Sequence, residues 1–113
     1  MKWKELIHEN EIEEMKQISF QKTILFFKHS TRCSISAMAL SRLERSWKEE
    51  EINAKNIVPC YIDLIQYRSI SNQIEEDFNV EHQSPQVLLI KDGKCIYHAS
   101  HGDINYSKIL DKA

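Results

Sequence analysis

Thr23-Ile24-Leu25-Phe26-Phe27 is a β-favouring run without polar alternation, and it restricts the fold more than any other feature of the chain. A strand that is apolar on both faces must be covered on both faces, as a central strand is in a layered α/β sheet. The rest of the chain supplies the layers. Over Asn10–Ile18 the apolar residues Ile12, Met15 and Ile18 recur at helical spacing, with glutamates at the start, as the helix dipole prefers. A long helix is predicted over Ser34–Glu50, where Ala39, Leu43 and Trp47 form one stripe flanked by Ile35, Ser36 and Leu40. Residues 51–57 read as a polar connection, Val58–Leu64 as a strand, and Ser69–Phe78 as a helix with Ile70, Ile74 and Phe78 in line. Residues 3–7 suit a short edge strand.

Gln86–Ile90 and Cys95–Ser100 are two further strand runs, joined by Lys91-Asp92-Gly93-Lys94. Asp-Gly between strands is a strong hairpin signal and favours a type I′ turn. Asp103 is read as the cap of a last helix, Ile104 to about Lys112. The predicted order (β)α-β-α-β-α-β-β-α makes an α/β fold: a central mixed β-sheet with a C-terminal antiparallel hairpin and helices on both faces. The 113 residues contain no repeat and no Pro/Gly-rich linker, so a single domain over 1–113 is expected.

Composition narrows the function. Lys+Arg 15 against Asp+Glu 17 is too balanced for a nucleic-acid binder. No apolar run approaches the ~20 residues that span a bilayer. The N-terminal stretch carries acidic residues where a signal peptide needs an apolar core, so a cytoplasmic protein is expected. Three cysteines without C-x-x-C spacing argue against a disulfide framework and against a metal site. In a reducing compartment, a cysteine at a special position is more often reactive than cross-linking.

Cys33 holds such a position. It follows the central strand and precedes the long helix, at the carboxyl end of a strand where open α/β sheets collect ligands. Free N–H groups and the dipole at a helix entrance stabilise an anion, and thiols so placed titrate from ~8.5 down into roughly 3.5–7.5. Lys28, His29 and Arg32 bring positive or potentially positive charge, and Ser30, Thr31, Ser34 and Ser36 bring hydroxyls and amides. Cys33 and Ser36 stand in C-x-x-S spacing, with serine where a redox motif has its resolving cysteine. Chemistry at Cys33 then stops at a mixed disulfide until an outside thiol attacks. Ser84-Pro85 is a second anchor, directly before the strand Gln86–Ile90. The residues alone leave its isomer open; a cis-proline facing the thiol would expose the Ser84 backbone to pair with an extended substrate.

Together these anchors and the element order resemble the thioredoxin-like fold. "FFKHSTRCSIS", "SPQVLLIKDGK" and "HASHGDI" further resemble the YtxJ family, the monothiol bacilliredoxins of the bacillithiol redox system, over nearly the whole chain. The resemblance implies that Cys33 is the nucleophile and Pro85 a cis-proline beside it. It implies thiol–disulfide exchange with bacillithiol as co-substrate, no bound cofactor, bacillithiolated client proteins as partners, and a bacillithiol disulfide reductase system behind them. Arg32, Lys28 or His29 would then meet the malate carboxylates of bacillithiol, with Thr31 in support and Ser34, Ser36 and Ser84 lining the substrate. Family members usually carry proline after the cysteine, where this chain has Ser34, which frees φ and adds an N–H.

Other readings stay beside this one. A monothiol glutaredoxin-like carrier would share an iron–sulfur cluster through Cys33, and a non-catalytic thioredoxin-like adaptor would only bind. Cys60, in phase with Val58 and Ile62, reads as core filler, and Cys95 as a residue remote from Cys33. His29 with Cys33, or His98 with His101, do not make a four-ligand set and read as surface histidines, His29 retaining a role as charge neighbour. A phosphatase loop would need C-x5-R, and position 39 is Ala. Glu49-Glu50-Glu51 reads as a solvated helix end, and Trp47, Phe26 and Phe27 as core.

Overall fold

The computed structural model describes residues 3–113; residues 1 and 2 of the expected domain lie outside the described residues. Its centre is β2 (Thr23–His29), in which all seven residues are buried. β2 pairs parallel with β3 (Ile57–Asp63) and antiparallel with β4 (Gln86–Lys91). β1 (Lys4–Glu5) adds to β3 in parallel, and β5 (Lys94–Ser100) adds to β4 antiparallel. The five-stranded mixed sheet therefore runs β1-β3-β2-β4-β5. The edge strand is shorter than the expected residues 3–7.

Because side chains alternate along a strand, β2 feeds two separate cores. Ile24 and Phe26 join Ile12 and Met15 of α1 (Asn10–Ile18) and Ile70, Ile74 and Phe78 of α4 (Arg68–Phe78). Leu25 and Phe27 join Ala39 and Leu43 of α2 (Ser34–Ser46), Ile52 of α3 (Glu49–Ala54) and Ile109 of α5 (Tyr106–Lys112). The helical stripes thus pack on opposite faces of the sheet.

Three expectations need correction. The long helix does not continue to Glu50. It ends at Ser46, Trp47 turns extended (ψ 130°), and a separate helix occupies Glu49–Ala54 where a polar connection was expected. The break lets the Trp47 ring pack against Trp3 at 5.3 Å and Tyr106 at 5.8 Å. The Tyr106 hydroxyl accepts the Lys48 N–H at 3.1 Å and donates to Glu51 Oε1 at 2.8 Å, holding the junction. Second, Glu49, Glu50 and Glu51 form the first turn of α3 and do not end a helix; there they complement its dipole. Third, Asp103 lies in a 3-10 turn (His101–Asp103), and the cap of α5 is Asn105, whose side chain accepts the Lys108 N–H at 3.1 Å.

The hairpin turn has φ of 53° at Asp92 and 75° at Gly93, both positive as a type I′ turn requires. It docks on the end of α1, with Asp92 N–H donating to Ser19 O at 2.8 Å and Gly93 N–H to Ser19 Oγ at 2.9 Å. No helix among the described residues is long and apolar enough to cross a membrane.

Candidate functional site

The carboxyl ends of β2 and β3 lie side by side, with His29 opposite Asp63 and the Leu64 N–H donating to His29 O at 3.0 Å. β4 runs the other way and begins at this same edge, since Lys28 pairs with Gln86. Pro85 therefore enters the sheet next to the point where β2 gives way to the Cys33 loop. The Ser84–Pro85 peptide is cis. Pro85 O accepts the His101 N–H at 3.0 Å, while neither the N–H nor the C=O of Ser84 enters a backbone hydrogen bond among the described residues. Ser84 Oγ is buried and also lacks a hydrogen-bond partner among them.

Cys33 is the N-cap residue of α2, with φ −108° and ψ 120°, and it is half-buried. Its N–H donates to Ser30 O at 3.1 Å and its C=O accepts from Ala37 N–H at 3.0 Å, so the loop turns tightly into the helix. The first-turn N–H groups at an α-helix entrance have no intrahelical acceptor and face the region of the cap residue. Thr31, Arg32 and Ser34 are exposed around it. Next to them, Ile35 is 59% and Met38 66% exposed. With Ala39, Arg42, His101 and Gly102 they line a groove of about 130 Å³.

Three residues expected around the thiol are placed differently. Lys28 is fully buried and shares the parity of Ile24 and Phe26, so its ammonium points to the α4 layer. There it donates to Ser71 O at 3.2 Å and lies 3.3 Å from His82 Nδ1, and burial lowers its pKa to about 8. A lysine engaged on that face does not lend its charge to Cys33.

His29 is not a surface histidine: it is 6% exposed and faces the α2 layer. Burial pushes its pKa down against the pull of the Asp63 and Glu44 carboxylates, so it is a neutral ring and not a charge neighbour at pH 7. Ser36 is fully buried, which removes it from the substrate-lining set. Its Oγ lies 2.6 Å from His29 Nδ1 and accepts the Ser30 N–H at 3.1 Å. His98 and His101 are exposed as expected, and no group of three metal-ligating side chains occurs among the described residues.

The other two cysteines stand apart. Cys60 is fully buried, 3.6 Å from Met15 Sδ, and burial pushes its thiol up to about 12. Cys95 pairs with Ile90, which pairs with Ile24 at the far end of β2 from His29. Residues 24 and 29 are five apart, roughly 16 Å along a strand, beyond disulfide reach. Sequence reasoning missed His82, Ser71 and Gln86. Gln86 Nε2 donates to Glu81 O at 3.0 Å and Oε1 accepts the Gln83 N–H at 3.3 Å, bracing the loop before Pro85. The available signal was Lys28 itself, a charge inside an otherwise apolar, doubly covered strand.

The family described as Monothiol bacilliredoxin BrxC matches residues 4–109. The chain belongs to this family. As a monothiol bacilliredoxin it is a thioredoxin-like thiol–disulfide oxidoreductase, and membership implies bacillithiol as the substrate thiol and bacillithiolated proteins as partners. Solved structures agree on the fold. A candidate oxidoreductase with a thioredoxin fold is 27% identical, with a TM-score of 0.74 over 96% of this bacilliredoxin and 91% of that chain. The thioredoxin of Fasciola hepatica is 18% identical, with a TM-score of 0.70 over 96% and 93%. That of Trypanosoma brucei brucei is 12% identical, with a TM-score of 0.73 over 98% and 87%. The last two show the fold alone.

Proposed function

We propose that this bacilliredoxin strips bacillithiol from client proteins through Cys33, with the whole chain acting as one unit in the cytoplasm. The observation that carries the reading is the placement of one half-buried thiol at the N-cap of α2, in the loop at the sheet edge where β4 begins beside Pro85. The Cys33 thiolate attacks the bacillithiol sulfur of the client mixed disulfide. That S–S bond breaks, the client sulfur leaves with the electron pair and takes a proton, and a Cys33–bacillithiol disulfide forms. A second bacillithiol then attacks the bacillithiol sulfur of that adduct. Bacillithiol disulfide leaves, Cys33 is regenerated, and the two electrons have come from bacillithiol. A bacillithiol disulfide reductase closes the cycle outside this protein.

The neighbouring residues suit these steps. The unpartnered N–H and C=O of Ser84 offer a strand-like pairing edge for a client segment. Exposed Arg32, next to Cys33 in the chain, is a cation for the malate carboxylates, and Thr31 and Ser34 are exposed beside it. The Ile35–Met38 groove offers apolar surface to the client side. Mass spectrometry after exposure to bacillithiol disulfide tests the scheme. A single adduct on Cys33, and loss of de-bacillithiolation in Cys33→Ser, are expected; full activity in Cys33→Ser rules it out.

A further inference from the structure

We propose that Ser36 is the positioning residue for Cys33 and that His29 is the proton acceptor on which it depends. The inference rests on Cys33 being the reacting thiol. A serine hydroxyl has one proton and two lone pairs. One lone pair of Ser36 Oγ takes the Ser30 N–H at 3.1 Å, while Ser30 O takes the Cys33 N–H at 3.1 Å. Residues 30–36 are thereby closed into a ring that fixes the loop to the first turn of α2. The Ser36 proton also needs an acceptor, because the residue is fully buried. His29 Nδ1, 2.6 Å away, is the acceptor in place.

That pairing dictates the state of the ring. Nδ1 must be bare, so the proton of the neutral imidazole is on Nε2. A cationic His29 would present Nδ1–H to Ser36 and turn the serine proton away, and no other acceptor lies within hydrogen-bond reach of Ser36 Oγ among the described residues. The groups facing His29 are Asp63 and the Tyr61 phenol from β3 and Glu44 from α2, with the Phe27 ring alongside in β2. The two carboxylates favour the cation, burial opposes it, and burial prevails. Ser36 is therefore more than the absence of a resolving thiol: its hydroxyl is a clasp that keeps the sulfur and the helix entrance in one geometry. Acidification releases the clasp by charging His29.

The test joins spectroscopy to rates. In the wild-type protein, 15N NMR of His29 at pH 7 is expected to show Nδ1 unprotonated and Nε2–H, with a titration midpoint below the ordinary ~6.5. Thiol release from a peptide carrying bacillithiol in a mixed disulfide is expected to fall roughly 10- to 100-fold in Ser36→Ala, as misplaced reacting groups do. Ser36→Thr should restore most of that rate. His29→Asn, whose amide oxygen accepts but does not titrate, should lose the part of the acid fall-off that comes from His29 and keep only that from protonation of the Cys33 thiolate. A proton on Nδ1 at pH 7, or a folded Ser36→Ala protein reacting at the wild-type rate, overturns the proposal. Should Ser36→Ala not fold, the tautomer and His29→Asn decide. Activity retained in Cys33→Ser would sink the assignment of the thiol instead, and the tautomer would be unaffected.

Discussion

Lys28 Nζ lies 3.3 Å from His82 Nδ1, joining the central strand to the loop that leads into Pro85. The same ring nitrogen faces Ser71 Oγ at 3.1 Å. Burial and the Lys28 and Arg68 charges push the His82 pKa down, and its Nδ1 faces both the lysine and the serine. Gln86 braces the same loop from the strand side. The approach to Pro85 is therefore held by buried polar contacts on the face opposite Cys33.

Lys28 makes stability depend on pH in a defined direction. Its folded pKa of about 8 is below the ordinary 10.5, so the unfolded chain binds more protons between those values. Stability attributable to Lys28 is lost as pH falls from 10.5 through 8. Lys28→Met is expected to be at least as stable as wild type at pH 7, because Ser71 Oγ still partners His82 Nδ1 and no buried charge is left unpaired. Urea unfolding of both proteins from pH 7 to 10 should show the wild type gaining on the variant as pH rises. A constant difference across that range would contradict this.

Cys60 should behave in the opposite sense. With a folded pKa of about 12 against an ordinary 9.0, the native state keeps the proton longer, and stability falls as pH rises from 9.0 towards 12. Cys60→Ala removes that fall and costs about 1–2 kcal/mol at pH 7 from the small cavity left beside Met15. Brief iodoacetamide treatment of the folded protein at pH 7.5 should label Cys33 and spare Cys60. Peptide mapping reads the result.

Gly93 has φ 75°, and a Cβ there would lie 3.1 Å from Phe20 Cζ. Gly93→Ala should cost about 1–2 kcal/mol from the left-handed backbone, with Phe20 having to shift in addition. Phe20 is 56% exposed, so the ring can give way and the fold should survive. The midpoint of urea unfolding should drop without a change of slope.

Two neighbouring polar residues should differ in their stability effects. Asn105→Ala removes the cap of α5 and should cost about 1 kcal/mol. Asp103→Ala, at an exposed position in the 3-10 turn, should stay within about 0.5 kcal/mol of wild type. Equal losses in the two variants would show that the cap is not at Asn105.

The elements of this protein other than α3 were legible because each has a local cause. The unbroken apolar run over Thr23–Phe27 requires two covering layers, and Ile70, Ile74 and Phe78 require a helix with one buried stripe. Asp92-Gly93 supplies the positive φ of a two-residue turn, and Cys33 follows a strand and opens a helix. The site was legible only in outline. Lys28 and His29 are adjacent in sequence and read as two charges near one thiol. Strand alternation sends them to opposite layers, and the layers decide what each meets.

The amino-acid sequence alone determined the order of the strands, the hairpin and the position of Cys33 at a helix entrance, since these depend on residues within a turn or a strand of one another. The tertiary structure decided where α2 breaks, which residue caps α5, and that Lys28 meets His82 while His29 meets Ser36. Those outcomes depend on burial and on hydrogen-bond partners brought from distant parts of the chain, such as Trp3 for Trp47 and His82 for Lys28. A side chain's charge and role follow from its surroundings, and only the folded chain assembles them.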